Sequence, residues 1–532
     1  MLNIRNLLLA ALIPAALWSQ TQPIPRIVQK DGRYALFVDG APYLILGAQV
    51  HNSSGWPAML PKVWPAIETI GANTVEIPVY WEQLEPQPGV FDYSVVDTLL
   101  SEAREHRVRL VLLWFGTWKN GSSHYMPLWM KTGPDRYPRV LGAKGRLVDS
   151  PSPYSRATLD ADTRAFVALM RHLKEADQER TVIMVQVENE PGTWGSVRDY
   201  SPAAQKLFDA PVPADLLKAL HKEAGAANAN WQAVFGSDAE EFFHAWSVAH
   251  FIQQVAAAGK AEYPLPLYVN AALRDPMNPS RGTYESGGAT DNVIPIWKAA
   301  APAIDLLAPD IYLDDSARYF KVLDLYRRPD NALFVPETGN SPAYARYFFA
   351  ALGRGTIGFS PFGVDYTGYA NAPLGAPKIN EESLAQFSLN YKLAGPMMRD
   401  LARLSFEGKL HAVAEEEQTH TQTMDLGPWK AAVSYGVPSF GFGNNPPGNP
   451  QPEGRVLVAD LGDNRFLVTG LFSRIDFQAS DPAQQREFLR VEEGTYENGA
   501  FTPIRIWNGD QTDYGLNFAA SPVILRVTLG TF

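Results

Sequence analysis

Short runs of consecutive apolar residues alternate with longer amphipathic stretches between residues 43 and 362. Runs without polar alternation are typical of parallel strands buried on both faces, and the spacing i, i+3, i+4 and i+7 in 160–176 predicts a helix between two of them. The eight strand-like runs are 43–50, 74–80, 108–115, 182–188, 265–270, 305–312, 333–337 and 355–362. We predict an α/β fold, a (β/α)8 TIM barrel with long loops. An open doubly wound sheet is the alternative, although no glycine-rich phosphate loop follows the first run.

The pattern changes after about residue 395, where strand-like runs at 454–460, 465–471 and 523–529 are separated by Asn-Gly turn signals. We therefore predict a signal peptide at 1–22, a catalytic barrel at 23–395 and a smaller all-β sandwich domain at 396–532. Residues 436–454 are rich in Gly, Pro and Asn and predict a long loop. This loop is either flexible, packed on a neighbouring surface, or directed toward an active site through Phe440 or Phe442.

Composition and charge narrow the classes of partner. The chain has 532 residues, of which 46% are hydrophobic, and a net charge of −11 without a basic block, which argues against nucleic acid or an anionic membrane. It has no cysteine and therefore no disulfide. Arg5 precedes an apolar run at 7–18 that is too short to span a bilayer and is typical of a secretory signal peptide. We expect cleavage near 19–22 and a periplasmic or secreted protein; an uncleaved membrane anchor is the alternative.

Acidic residues stand at the ends of two of the predicted strands. The fourth run ends in Glu188-Asn189-Glu190-Pro191, and the seventh ends in Glu337. In a barrel of this kind the carboxyl ends of the strands carry the functional groups, so two carboxylates can face each other across the cleft. Glycoside hydrolysis needs that arrangement, with one acid to protonate the leaving oxygen and one carboxylate at the anomeric carbon.

Two stretches resemble glycoside hydrolase family 35, the β-galactosidases. "QVENEPG" at 186–192 is similar to the motif of that family's fourth strand, and "NTVEIPVYWEQLEPQPGVFDY" at 73–93 is similar to its second-strand motif. The resemblance extends over most of residues 30–370. Within the family, the chain resembles a bacterial branch that pairs the barrel with a small C-terminal β domain. This branch includes enzymes that remove galactose from plant side chains such as those of xyloglucan.

The chain departs from the family pattern at two places. Pro191 stands where a tyrosine is usual, and Gly116-Thr117-Trp118 follows the third run where the family often has a Glu-Trp pair. A carboxylate that contacts the sugar is therefore expected to be missing. These departures concern the sugar specificity more than the reaction class.

The resemblance implies that Glu190 is the general acid/base and Glu337 the nucleophile of a retaining exo-β-galactosidase. Other retaining β-glycosidases, namely a β-glucosidase, a β-L-arabinopyranosidase or an endo-glycanase, remain alternatives. A non-catalytic carbohydrate-binding protein is disfavoured, because it has no need of both glutamates. Glu188, still within the predicted strand, is interpreted as a structural acid paired with a neighbour.

The remaining candidates are contacts to the sugar or to the nucleophile. Asn189 is expected to bind the sugar 2-hydroxyl, and Tyr312 either to hold Glu337 through its hydroxyl or to pack at the barrel mouth. The other candidate substrate-binding residues, each with core packing or a structural role as its alternative, are Trp81, Trp118, Tyr366, His51 and Gln49.

No metal or cofactor is expected from the sequence. The nine histidines show no metal-ligand spacing, and Asp310, Asp314 and Asp315 are interpreted as solvated loop acids. The predicted partner is an oligosaccharide or polysaccharide substrate, with no nucleic acid and no membrane. A homo-oligomer is left open as a further partner state.

Overall fold

The computed structural model describes residues 22–222, 228–436, 447–497 and 499–532. Eight parallel strands form a closed barrel, which confirms the predicted fold class. Each strand falls within or extends one of the eight predicted runs, in the same order. The barrel strands, numbered first to eighth below, are Ile45–Gln49, Thr74–Tyr80, Arg109–Lys119, Val182–Asn189, Leu267–Ala272, Leu306–Ile311, Val335–Thr338 and Gly358–Pro361.

Side chains on the strands alternate between the barrel interior and the surrounding helices. On the third strand, Leu110, Leu112 and Trp114 belong to the apolar layer shared with the helices, and Val111, Leu113 and Phe115 belong to the interior cluster. Both faces are apolar, which explains the continuous apolar runs. The helices of the described residues are Leu60–Ile70, Trp81–Leu84, Ser94–Glu105, Leu128–Lys131, Arg156–Ala176, Pro202–Asp209, Ala214–Ala219, Trp231–Phe235, Ala239–Glu262, Ile294–Ala300, Ser316–Tyr326, Tyr347–Leu352, Glu381–Ala394 and Met398–Phe406.

Two small antiparallel sheets accompany the barrel. Strands Arg26–Lys30, Arg33–Val38 and Ala41–Tyr43 form a meander whose apolar residues join the interior cluster of the barrel. The Tyr43 hydroxyl lies 3.0 Å from the Thr74 hydroxyl at the start of the second barrel strand. The meander therefore covers the amino-terminal end of the barrel and leaves the opposite end open. A second hairpin pairs Arg139–Leu141 with Leu147–Pro151.

The C-terminal region is an antiparallel β-sandwich, as predicted. One sheet has the strand order Leu410–Ala414, Arg455–Gly462, Arg465–Leu471, Val523–Thr531, Arg486–Glu497 and Ala500–Ile506; the other has the order Thr421–Asp425, Trp429–Tyr435, Ser473–Ala479 and Leu516–Phe518. Residues of both sheets share one hydrophobic core, with Val433 and Phe477 from one sheet and Val458, Val468 and Val527 from the other. Two sheets that each bury one face in this way form a sandwich.

Polar groups join the sandwich to the barrel helices and fix part of the predicted loop. The buried Arg455 donates through Nε to Asn390 Oδ1 at 2.8 Å. Glu415, which is fully buried, accepts hydrogen bonds from the Asn449 backbone at 2.9 Å and from the Gly454 backbone at 3.0 Å. Residues 447–454 of the 436–454 loop are therefore held by one carboxylate, whereas Phe440 and Phe442 lie outside the described residues.

The predicted signal peptide and the absence of a predicted membrane span concern different parts of the chain. Residues 1–21, which carry almost all of the predicted signal peptide, lie outside the described residues. Within the part of the chain that the structure describes, we find no helix with the length and apolarity needed to cross a membrane.

Candidate active site

A cavity of about 750 Å³ opens at the carboxyl ends of the barrel strands. Seven of the eight strands contribute residues at or beyond their carboxyl ends to its wall, as expected for the functional face of this fold. The lining residues that carry chemistry are His51, Lys119, Glu190, Trp194, Glu285, Asp310, Tyr312, Glu337 and Tyr369. The two predicted catalytic glutamates and Tyr312 are therefore brought together in one cavity.

Glu337 lies on the seventh strand and is held by two hydrogen-bond donors. Gln49 Nε2 donates to Glu337 Oε2 at 2.9 Å, and the Tyr312 hydroxyl donates to Glu337 Oε1. Tyr312 thus makes the expected contact with Glu337, and its role in the reaction stays a prediction. Burial and the nearby Glu190 raise the pKa of Glu337 to about 7, while Lys119 and the two donors act in the opposite direction. The two hydrogen bonds also fix the orientation of the Glu337 carboxylate, because each of its oxygens has a donor.

Glu190 follows the fourth strand in a left-handed backbone conformation. Its φ is 42°, an uncommon value for a residue with a side chain. The surrounding backbone holds it there, because Glu190 N donates to Asn270 Oδ1 at 2.8 Å and Gly121 N donates to the Glu190 carbonyl at 2.9 Å. Strain that neighbouring contacts maintain in this way is characteristic of functional residues.

Asp310 joins the two predicted catalytic glutamates in a cluster of three carboxyl groups. One oxygen from each of Glu190, Asp310 and Glu337 lies within 4.8 Å of the others. Asp310 is 3% exposed and accepts from Asn270 Nδ2 at 2.7 Å. Burial, the charges of both glutamates and a hydrogen bond to Glu190 raise the pKa of Asp310 well above its usual value. The interpretation of Asp310 as a solvated loop acid was therefore wrong: it is buried on the sixth strand, beside both glutamates.

A cation is built into the wall of this acidic cavity. Lys119, at the end of the third strand, donates through Nζ to Asn189 Oδ1 at 2.8 Å and also to Asn120 Oδ1. Its positive charge lowers the pKa of Asp310 and of Glu337. The three carboxyl oxygens are close enough together to hold a metal ion, but the lysine already balances part of their charge. The sequence-based expectation that no metal or other cofactor is needed stays a prediction.

The first strand and Asn189 supply further polar groups. His51 lines the cavity, and its Nδ1 lies 3.0 Å from Asp365 Oδ2. The His51 contacts hold the pKa of Asp365 below its usual range, so this carboxylate is ionised. Because Nδ1 faces Asp365, Nε2 is the ring nitrogen available to a ligand. Asn189 is fully buried, with its Nδ2 unpartnered among the described residues, and its predicted contact with the sugar stays a prediction.

Glu188 contacts the helix layer instead of the cavity. Its carboxyl accepts from Trp118 N at 2.7 Å and faces Asp162 on the helix Arg156–Ala176. Burial and the adjacent Asp162 raise the pKa of Glu188 well above its usual value. Asp162 also accepts from Trp114 Nε1 at 2.9 Å. The prediction that Glu188 is a structural acid with a partner is confirmed.

Three of the predicted sugar contacts lie away from the cavity. Trp81 is fully buried and donates to Glu85 at 2.8 Å, and Trp118 is fully buried against Phe251. The Tyr366 hydroxyl lies 3.0 Å from the Thr69 hydroxyl outside the barrel mouth. The three rings occupy packing positions, which is the alternative stated for each of them above. None of them belongs to the cavity wall.

Several residues in the cavity wall or behind it were missed or misread, some of which left a signal in the sequence. Asp310 is two residues before Tyr312 in a predicted strand, and side chains two apart share a face. Asn270 ends the fifth predicted run. Lys119 was missed because the third strand continues past the apolar run to this residue. Glu285 comes from a long loop without periodicity, and no local pattern could have identified it.

Two parts of the chain match family models. Residues 57–248, which include barrel strands two to four, match the family described as Beta-galactosidase, glycoside hydrolase family 42. Residues 387–519 match a family described as a domain of unknown function, DUF5597. The resemblance to β-galactosidases inferred from the sequence is confirmed over the first region, and the narrower assignment to family 35 stays a prediction.

Curated proteins named β-galactosidase are similar to this chain over a limited part of their length. A β-galactosidase of Xanthomonas manihotis is 30% identical over 182 residues, covering 32% of this chain and 27% of that protein. Beta-galactosidase 14 of Arabidopsis thaliana is 25% identical over 171 residues, covering 31% of this chain and 18% of that protein. The chain thus spans about a quarter or less of the length of the curated relatives it matches.

Solved β-galactosidases are weakly similar in structure. The enzyme from Bacillus circulans sp. alkalophilus has a TM-score of 0.49 at 14% identity, covering 67% of this chain and 57% of that chain. The enzyme from Rahnella sp. R3 has a TM-score of 0.49 at 16% identity, covering 68% and 58%. The barrel assignment rests on the strand pairing of the chain itself.

Proposed function

We propose that the protein is a retaining β-galactosidase that removes terminal β-D-galactosyl residues by double displacement. The observation that carries the proposal is the pair of carboxylates from the ends of the fourth and seventh strands, with oxygens within 4.8 Å of each other in one cavity. Retaining glycosidases hold their two carboxyl groups about 5–5.5 Å apart, whereas inverting enzymes keep them about 6.5–9.5 Å apart to admit a water molecule. The short separation supports retention.

The two glutamates take different roles because their surroundings differ. In the first step the Glu337 carboxylate attacks the anomeric carbon, the bond to the leaving oxygen breaks, and the proton of Glu190 moves to that oxygen. In the second step Glu190 takes a proton from water, the water oxygen bonds to the anomeric carbon, and the ester to Glu337 breaks. Gln49 and Tyr312 orient Glu337, which supports its assignment as the nucleophile.

Asp310 holds the proton that Glu190 uses. Three carboxyl groups this close cannot all ionise near neutral pH, and the raised pKa of Asp310 supports a protonated Asp310 that donates to Glu190. The proton then passes from Asp310 to Glu190 when a substrate oxygen approaches, and from Glu190 to the leaving oxygen. The pair keeps an acid available above the pH at which an isolated glutamate would have lost its proton.

The proposed substrates are β-galactosides at the ends of plant-type oligosaccharide or polysaccharide side chains, such as those of xyloglucan. The family match over residues 57–248 and the names of the curated relatives support galactose as the sugar. Another retaining β-glycosidase is the second candidate, because Lys119 rather than a carboxylate follows the third strand. The proposed export to the periplasm or medium rests on the N-terminal sequence alone and is tested by sequencing the N-terminus of secreted protein.

A panel of nitrophenyl glycosides tests the sugar specificity. The β-galactoside should be hydrolysed well above the β-glucoside and the α-L-arabinopyranoside, whose 4-hydroxyl is also axial but which lacks the 6-hydroxyl. A β-galactoside rate no higher than the others would reject galactose as the sugar. Proton NMR of the first product should show the β-anomer, and an α-anomer would reject retention.

Two substitutions test the roles of the glutamates. Glu337→Gly should abolish hydrolysis, and azide should restore turnover of an activated β-galactoside with formation of α-galactosyl azide. Glu190→Ala should lose far more rate on substrates with poor leaving groups than on dinitrophenyl galactoside, because only the former need the acid. Wild-type activity of the Glu337 variant, or equal losses on both substrates for the Glu190 variant, would contradict these roles.

A further inference from the structure

Two loops at the barrel mouth are joined beside Glu190. Thr193 N donates to the Ser286 carbonyl at 2.9 Å, and Ser286 N donates to the Thr193 carbonyl at 3.1 Å. This pairing links the loop after the fourth strand to the loop after the fifth. It brings Trp194 and Glu285 together in the cavity wall next to Glu190.

Trp194 presents a large flat ring that is fixed in place. It is 43% exposed, and its indole N–H donates to Glu285 Oε1. Gly121 packs closely beneath it with φ 66°: a Cβ at Gly121 would lie 3.1 Å from Trp194 Cδ1 and 2.8 Å from Glu285 Cγ. Surface tryptophans usually bury more of their apolar area. An exposed ring that is held by a hydrogen bond and backed by a glycine is suited to stacking with a ligand.

Glu285 provides a polar group at the edge of the same surface. Its side chain is 3% exposed, and its Oε2 has no hydrogen-bond partner within the described ranges of the chain. Burial and the charge of Glu190 raise the pKa of Glu285 well above its usual value. Oε1 accepts from Trp194, so Oε2 is the oxygen left to bond a ligand hydroxyl. A buried polar atom without a partner is costly unless a ligand or water satisfies it.

We propose that Trp194 and Glu285 form a subsite for the leaving group, which binds the sugar ring released by cleavage. The proposal rests on the proposed function, in which Glu190 protonates the leaving oxygen; a group beside Glu190 on the side of Trp194 therefore contacts the leaving ring. The apolar face of a pyranose stacks on Trp194, and one hydroxyl of that ring forms a hydrogen bond with Glu285 Oε2. The subsite gives preference to saccharide leaving groups over small ones.

Two substrates with the same galactosyl group separate this subsite from the rest of the site. Lactose releases a sugar ring, whereas β-galactosyl fluoride releases a single ion and has nothing to place on Trp194. For Trp194→Ala we expect kcat/KM on lactose to fall about tenfold or more, which corresponds to ~1.4 kcal/mol, with less than about a twofold change on the fluoride. Trp194→Phe, which keeps a flat ring, should recover part of the loss.

Glu285 variants test the hydrogen bond. Glu285→Ala should lose rate on lactose as Trp194→Ala does, because the indole loses its acceptor. Glu285→Gln should restore most of it, since its amide accepts from the indole and can donate to a hydroxyl. Trp56→Ala is the matched control: Trp56 is 48% exposed near the end of the first strand and does not line the cavity, so both substrates should react as with the wild type.

The outcomes distinguish the subsite from the activity itself. Wild-type behaviour of Trp194→Ala on lactose, or equal losses on lactose and fluoride, would overturn the subsite while leaving the galactosidase proposal intact. Failure of the wild-type protein to hydrolyse either substrate would reject the proposed function, and the subsite with it. The melting temperature of each variant, measured in parallel, identifies losses that come from unfolding.

Discussion

The substitution Asp310→Asn tests whether the third carboxyl group supplies the proton for Glu190. The asparagine has the same shape, and its carbonyl can still accept from Asn270 Nδ2, which lies 2.7 Å from Asp310 Oδ2. Its amide can donate to Glu190 but cannot release a proton. In the wild type, Glu337 ionises with a pKa of about 7, and the pKa of Asp310 lies well above its usual value. We therefore expect one proton to remain in the cluster above pH 7 in the wild type, and none in the variant.

The size of the effect follows from the distances within the cluster. Two carboxylates whose oxygens lie within 4.8 Å of each other repel each other by at least about 3 kcal/mol at an effective dielectric constant of about 20. That energy corresponds to roughly two pH units. We expect the wild-type protein to overcome this repulsion before it loses its last proton, so that the proposed activity extends to higher pH. In Asp310→Asn we expect the last proton of the cluster to leave with the ionisation of Glu337, near pH 7.

The assay is the pH dependence of kcat/KM with a substrate whose leaving group needs protonation, such as lactose. We expect the alkaline limb of Asp310→Asn to move down by about two pH units to near pH 7, while the rate below that pH changes much less. The matched control is Asp314→Asn, because Asp314 is exposed four residues further along the chain. An alkaline limb that coincides with that of the wild type would refute the proton supply from Asp310, as would an equal shift in the control.

Three further predictions concern the neighbours of the site and the sandwich. Tyr312→Phe removes a donor to the Glu337 carboxylate and should lower kcat about 10–100-fold, since such a bond contributes about 1.5–3 kcal/mol; an unchanged kcat would contradict this. Glu188→Gln should retain activity. The raised pKa of Glu188 means that the folded wild-type protein loses stability as pH rises above about 5, whereas glutamine does not titrate. The melting temperature of Glu188→Gln should therefore rise relative to that of the wild type with increasing pH. A difference that does not change with pH would show that Glu188 is ionised beside Asp162. Glu415→Ala leaves several loop N–H groups without an acceptor and should cost about 3 kcal/mol or more in urea unfolding, whereas a loss below about 1 kcal/mol would mean that water replaces the carboxylate.

The barrel could be predicted from the sequence because its strands are buried on both faces. Each strand then leaves a continuous apolar run, and eight runs in series specify the topology. The ends of the strands were less certain. The third strand extends to Lys119, four residues beyond the apolar run, because Gly116 and Thr117 interrupt the pattern while the backbone continues in the sheet. Because of this extension, the apolar run did not identify Lys119 as a residue of the cavity wall.

A site residue could be predicted only where a polar or ionisable side chain stands at the end of an apolar run. Glu190 and Glu337 satisfy that condition, and so does Tyr312. Glu285 does not, because a paired backbone between two loops brings it to the cavity, and such a contact leaves no periodic signal. Trp118 was expected at the sugar because it follows the third run, but its ring turns into the helix layer.

The two acids of the fourth strand differ in role because the backbone is irregular where they lie. In a regular strand, residues two apart project to the same side, so Glu188 and Glu190 would both face the cavity. Instead both residues have positive φ, 65° and 42°, and the strand turns between them. Glu188 contacts Asp162 in the helix layer, and Glu190 reaches the mouth. Left-handed conformations of this kind cost about 1–3 kcal/mol each, and the contacts of Asn270 and Gly121 with the Glu190 backbone offset part of that cost. Weakening these contacts should therefore lower the acid-catalysed rate before it lowers the stability of the fold, because the strain is stored at Glu190 itself.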